Sequence, residues 1–193
     1  MTSITQALAL YDMAGQIERL RFQLRALPPA PTIPDLDSVT AQVHSLAGIL
    51  TAVSDQVSHR LGLSSADAKK AVVVYSAALV PLGEAMTELG RLQAEVTFFN
   101  FTTYPKYHNS PSDLERQLRY VNEIITGCRD AADEALEVAA DELQAAAVEL
   151  AHPPARVQAA APARTPGPVN SAQANPAPAI LPPAVAPRAA KSR

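Results

Sequence analysis

Between residues 36 and 57 apolar side chains recur at alternating steps of three and four: Leu36, Val39, Val43, Leu46, Leu50, Val53 and Val57. A strand would bury every second residue, so this line can be buried only by a helix that faces other helices. The mean step of 3.5 is that of left-handed, coiled-coil-like packing. The spacing predicts a helix over 36–61, opened by Asp35 or Asp37 and ended near Gly62.

Three more stretches carry a seven-residue apolar repeat. Leu10, Ile17 and Leu24, interleaved with Met13, Leu20 and Leu27, predict a helix over 3–27 with Thr2 or Ser3 as its N-cap. It must stop by Leu27, because Pro28-Pro29-Ala30-Pro31-Thr32-Ile33-Pro34 follows and proline disfavours helical backbone before it. A third helix is expected over 65–98, capped by Ser64 or Ser65, with Val72, Leu79 and Met86 beside Tyr75, Leu82, Leu89 and Val96. Pro81 falls inside it. An internal proline costs about 3 kcal/mol and frees the carbonyl of Ala77, so a kink or two shorter helices are expected. The fourth, over 113–151, opens with the capping-box spelling Ser112-Asp113-Leu114-Glu115. Its seam is Leu114, Leu118, Val121, Ile125, Cys128, Ala132, Ala139, Leu143, Ala146 and Leu150. Short connections between long helices favour antiparallel neighbours. The expectation is all-α: an antiparallel up-down-up-down four-helix bundle over 1–151. The alternative is two hairpins that complete the bundle as a homodimer.

From His152 to Arg193 the 42 residues include 13 Ala and 10 Pro, with no Asp or Glu. Arg156, Arg164, Arg188, Lys191 and Arg193 give this stretch +5, while residues 1–151 carry −8. So many prolines and so few large apolar groups predict a disordered Ala/Pro-rich basic tail over 152–193. Its one apolar cluster is Ala179-Ile180-Leu181-Pro182-Pro183-Ala184-Val185, a spacer or a short docking motif.

The chemistry-bearing patterns are sparse. One cysteine excludes an internal disulfide framework. Cys128 falls on a seam, where a thiol acts as a small apolar residue. No Glu-x-x-His pair is present for a di-iron bundle, and Asp55 with His59 reads as a solvated pair at a helix end. The seven glycines are isolated, so no phosphate loop is spelled. No catalytic residue, metal ligand or cofactor site is expected, which argues against an enzyme. The fourth helix alone carries −7, which argues against nucleic acid, since that needs a basic footprint. The longest apolar run, Ala71 to Leu82, has 12 residues and is broken by Ser76, which argues against a membrane span. Met1-Thr2-Ser3-Ile4 has no basic leader, so a cytoplasmic protein is expected. Twelve Arg against four Lys, with 37 Ala, suggests a GC-rich bacterial genome.

Val43-His44-Ser45-Leu46-Ala47-Gly48 resembles the phosphoacceptor stretch of histidine phosphotransfer domains, also four-helix bundles. The resemblance covers six residues, and Ala47 stands where that family has lysine. Long helical hairpins before an Ala/Pro-rich tail also look broadly like some type VII secretion substrates. The Trp-x-Gly turn is missing, and no Tyr is followed four positions later by an acid.

The segment 97–111 holds five of the nine aromatics: Phe98, Phe99, Phe101, Tyr104 and Tyr107. Read as a loop, it either plugs the bundle or presents a docking surface, with His108 as an ordinary loop residue. Aromatics dominate interface energetics, so Phe99, Phe101, Tyr104 and Tyr107 are the candidate partner-binding residues. The leading expectation is a non-catalytic adaptor, chaperone-like factor or assembly component for a protein partner. It would use this loop, the acidic fourth helix or the tail. The alternatives are a type VII-like secreted helical protein and a helical accessory protein of a mobile element or virion.

Overall fold

The structure, a computed structural model, describes residues 3–102 and 111–152. Four helices follow one another: α1 Ser3–Arg25, α2 Leu36–Leu61, α3 Ala66–Thr102 and α4 Pro111–Ala151. The described residues contain no strand, and the chain is an all-α bundle. Tyr104, Tyr107, His108 and the tail beyond His152 lie outside the described residues.

Cross-helix bonds fix the antiparallel order. The Ser3 hydroxyl at the start of α1 donates to the Leu150 carbonyl at the end of α4. Arg60 near the end of α2 reaches Gln6 near the start of α1, and Gln93 of α3 reaches Thr40 of α2. α4 packs along α1 and α3, α2 packs along α3, and α1–α2 is the thinnest of the four neighbouring interfaces.

Local chemistry sets the helix ends. Asp35 is the N-cap of α2 and accepts from the Ser38 N–H at 2.8 Å, and its bonds to Ser38 hold its carboxyl below the usual range. The Ser65 hydroxyl accepts from the Ala68 N–H at the start of α3. Gly62 closes α2.

Several expectations need correction. α1 ends at Arg25 rather than Leu27, although Leu27 is still buried beyond it. α4 starts at Pro111, so Ser112 and Asp113 lie inside its first turn and the capping-box reading fails. Proline suits that first helical position because its missing N–H is unpaired there anyway. α3 runs to Thr102 instead of 98, which puts Phe98, Phe99 and Phe101 on a helix rather than in a loop. Pro81 does not split α3; it lies buried within one continuous helix of 37 residues.

The core follows the seven-residue repeat closely. Leu10, Met13, Ile17, Leu20 and Leu24 of α1 meet Val39, Leu46 and Val53 of α2 in one cluster. In α3 the buried line is Ala68, Ala71, Tyr75, Ala78, Leu82, Ala85, Leu89, Leu92 and Val96. Val72, Leu79 and Met86, expected on the seam, sit half-buried at its flank. Ala71, Ala78 and Ala85 take the inner positions, and these bulkier residues lie at the edge. In α4, Leu136, Ala140 and Ala147 join the expected line, which includes Cys128. By length and composition alone, residues 66–101 of α3 would suffice to cross a bilayer. In the bundle Tyr75, Leu82, Leu89 and Leu92 of this helix are fully enclosed, while Val73, Val80, Phe98 and Phe101 are exposed.

Candidate functional site

α1 has 23 residues and α4 has 41, a difference of about 27 Å at 1.5 Å per residue. Their register is pinned at both ends. Ser3 sits at Leu150, and Arg21 and Arg25 reach Asp133 at 3.3 and 2.6 Å. α1 therefore covers only the C-terminal half of α4. Among the described residues, the side of α4 that would receive a longer α1 faces Ala30 and Pro31 of the 28–34 connection.

The consequence is a groove of about 790 Å³ between that connection and α4. Ala30 and Pro31 form one wall, and Leu118, Asn122, Thr126 and Gly127 line the other. Glu115, Glu123 and Asp130 also line it, with Arg119 as its only cation among the described residues. Asn122 keeps a buried Oδ1 that accepts no hydrogen bond among the described residues. At the same end of the bundle Phe98 and Phe101 are 55% and 64% exposed, and Tyr120 is 62% exposed. The groove therefore combines a largely apolar lining with exposed carboxylates, at an end of the bundle that also exposes aromatics.

Of the four candidate partner-binding residues, the structure separates two. Phe99 is half-buried and packs on the core, so it plugs the end of the bundle. Phe101 is exposed on the last turn of α3. Tyr104 and Tyr107 lie outside the described residues.

Two buried polar clusters brace the bundle elsewhere. Arg21, only 5% exposed, pairs with Glu18, Asp133 and Glu137. Burial disfavours the charge on Asp133, but hydrogen bonds from Arg25 and Arg21 outweigh it and hold the carboxyl below its usual range. Arg60, 3% exposed, donates to the Gln6 and Gln56 side chains and the Gln56 carbonyl, and lies 5.1 Å from the centre of the Tyr75 ring. Both Gln6 and Arg60 continue the three-four spacing of their seams, Gln6 four before Leu10 and Arg60 three after Val57. A polar residue in phase with an apolar line was the signal that would have flagged them.

Cys128 is buried and its thiol is pushed up to about 11, chiefly by burial. His44 is exposed on α2, and Ala47 stands one turn away from it. Among the described residues no group of three or more His, Cys, Asp or Glu is placed to hold a metal. No family model matches the chain, and no curated protein or solved structure matches it either.

Proposed function

We propose that this chain is a non-catalytic protein-interaction protein that docks a partner where α1 gives out along α4. The observation that carries the reading is the groove of about 790 Å³ left by the length mismatch. Stable bundles bury their apolar faces, so an apolar recess at an end that also exposes aromatics supports a protein-docking reading. Phe101 and Tyr120 supply the aromatic contacts, and Glu115, Glu123 and Asp130 favour a partner with cations beside an apolar segment.

The test is affinity capture followed by rebinding of the purified partner. Leu118→Asp, Phe101→Ala and Tyr120→Ala should each weaken rebinding by tenfold or more, about 1.4 kcal/mol or above. Leu8→Ala, at an exposed apolar position on the outer side of α1, should leave it unchanged. Circular dichroism establishes that each variant is folded. A partner held equally by the groove variants and the wild type refutes the docking site.

A further inference from the structure

We infer that the groove is occupied by the chain's own segment Ala179–Val185, steered there by the cations that follow it. The inference rests on reading the groove as a docking surface and names its occupant. An occupant must be apolar, to fill the recess beside Leu118 and Pro31, and must carry cations, to answer Glu115, Glu123 and Asp130. The 41 residues after His152 hold one apolar cluster, Ala179-Ile180-Leu181-Pro182-Pro183-Ala184-Val185. Arg188, Lys191 and Arg193 follow within eight residues of Val185, and no acid occurs anywhere in the stretch. A segment of this composition suits a groove rather than a sheet edge. Paired prolines cannot donate to a ladder but dock well in apolar grooves in an extended form.

Geometry permits the contact. Leu118 lies 33 residues before the end of α4, a distance of about 50 Å along the helix. The 28 residues from His152 to Ile180 can span about 87 Å at 3.1 Å per residue. The reach exceeds the distance by more than half. The route is also charged in the right sense. Glu149, Glu142, Asp141, Glu137, Glu134 and Asp130 are exposed along α4 between the root of the tail and the groove. Arg156 and Arg164 belong to the part of the chain that would follow this track.

The experiment uses the full chain, labelled with ¹⁵N, with Ala186→Cys carrying a nitroxide. Cys128 can remain, because it is buried and its thiol is raised. The expected result is several-fold broadening of the amides of Ala30, Leu118, Thr126 and Gly127, with Ile4 and Leu8 at the far end unaffected. Ile180→Ser with Leu181→Ser should abolish the broadening while leaving every charge in place. Absence of broadening at the groove overturns the assignment. So does broadening spread evenly along the acidic track and insensitive to the paired serines, since that is charge attraction alone. Equal broadening when a nitroxide-bearing chain is mixed with a separate ¹⁵N chain assigns the segment to a second copy and overturns the same-chain contact. A partner captured through the groove with no broadening overturns the tail assignment and leaves the docking reading standing. Broadening with no groove-dependent partner does the reverse.

Discussion

Replacing Asp133 by Asn removes the carboxylate that ties α1 to α4 while nearly preserving its shape. Breaking one side of a fully buried ion pair costs about 3–5 kcal/mol, because the other charge is left unpaired. That limit does not apply here. Arg21 keeps Glu18 at 2.8 Å and Glu137 at 2.9 Å, so its charge stays compensated. What is lost is the charge that assists two hydrogen bonds, from Arg21 and Arg25, in a partly buried setting, and Asn can still accept one of them, so the cost is about 2 kcal/mol. With a urea m-value of about 2 kcal/mol/M, the unfolding midpoint should fall by about 1 M, read by circular dichroism. The pH dependence separates charge from packing. An unfolded Asp titrates near about 3.9, and the folded Asp133 carboxyl is held lower by Arg25 and Arg21. Its contribution is therefore complete above the unfolded value and is lost as pH falls through the folded one. The gap between wild type and Asp133→Asn should be flat from pH 7 to about 5 and close below about 4. A cost above about 4 kcal/mol would mean that Glu18 and Glu137 do not share Arg21. A gap that survives acidification would mean that packing, not charge, was removed.

Other perturbations address the remaining buried polar groups. The Tyr75 hydroxyl is enclosed with no hydrogen-bond partner among the described residues, so Tyr75→Phe should stabilise by about 1 kcal/mol and raise the thermal midpoint by about 2–4 °C. The ring facing Arg60 is retained in that variant, so a lower midpoint would show that the hydroxyl is satisfied. Gln6→Leu removes the acceptor 2.7 Å from Arg60 Nε and should cost about 2 kcal/mol in urea unfolding, whereas a neutral result would show that Arg60 is held by Gln56 alone. With its thiol near 11, about one Cys128 in a thousand is ionised at pH 8, so the native protein should resist iodoacetamide and react only in denaturant. Rapid native alkylation, followed by mass spectrometry, would contradict its burial.

The bundle was legible because burial and periodicity say the same thing in this chain. The line from Leu36 to Val57 dictates a helix, and Asp35, Gly62 and Ser65 punctuate the chain with ordinary capping chemistry. Half of the α3 seam, Tyr75, Leu82, Leu89 and Val96, is buried as its spacing predicts, whereas Val72, Leu79 and Met86 sit at the flank, since size alone does not set burial. Ala71, Ala78 and Ala85 hold the inner positions instead. The end of α3 was misjudged for a related reason. Phe98, Phe99 and Phe101 have modest helix propensity, but Phe99 packs on the core and the helix carries on past it. The groove was not legible at all. It depends on the register between α1 and α4, which Ser3, Arg21 and Arg25 set through contacts more than 100 residues apart in sequence.

The groove follows from two demands that one chain cannot meet together. Pro28 and Pro29 stop α1, while Leu118, Val121 and Ile125 continue the apolar line of α4 for several turns beyond it. Among the described residues the 28–34 connection meets the remainder, and Ala30 and Pro31 leave it open as a groove. Gly127 makes the contrast testable. It lies within α4 and lines the groove, and a Cβ built there meets nothing within 4 Å. Gly127→Ala should therefore stabilise by about 1 kcal/mol through helix propensity alone. Gly127→Leu should keep that gain, extend an apolar side chain into the recess, and weaken binding of both the partner and the tail segment. Stability rising while docking falls is the signature of a recess kept open for a ligand. A Gly127→Leu chain that is more stable and still docks as tightly would mean that the recess is only an imperfectly filled part of the bundle.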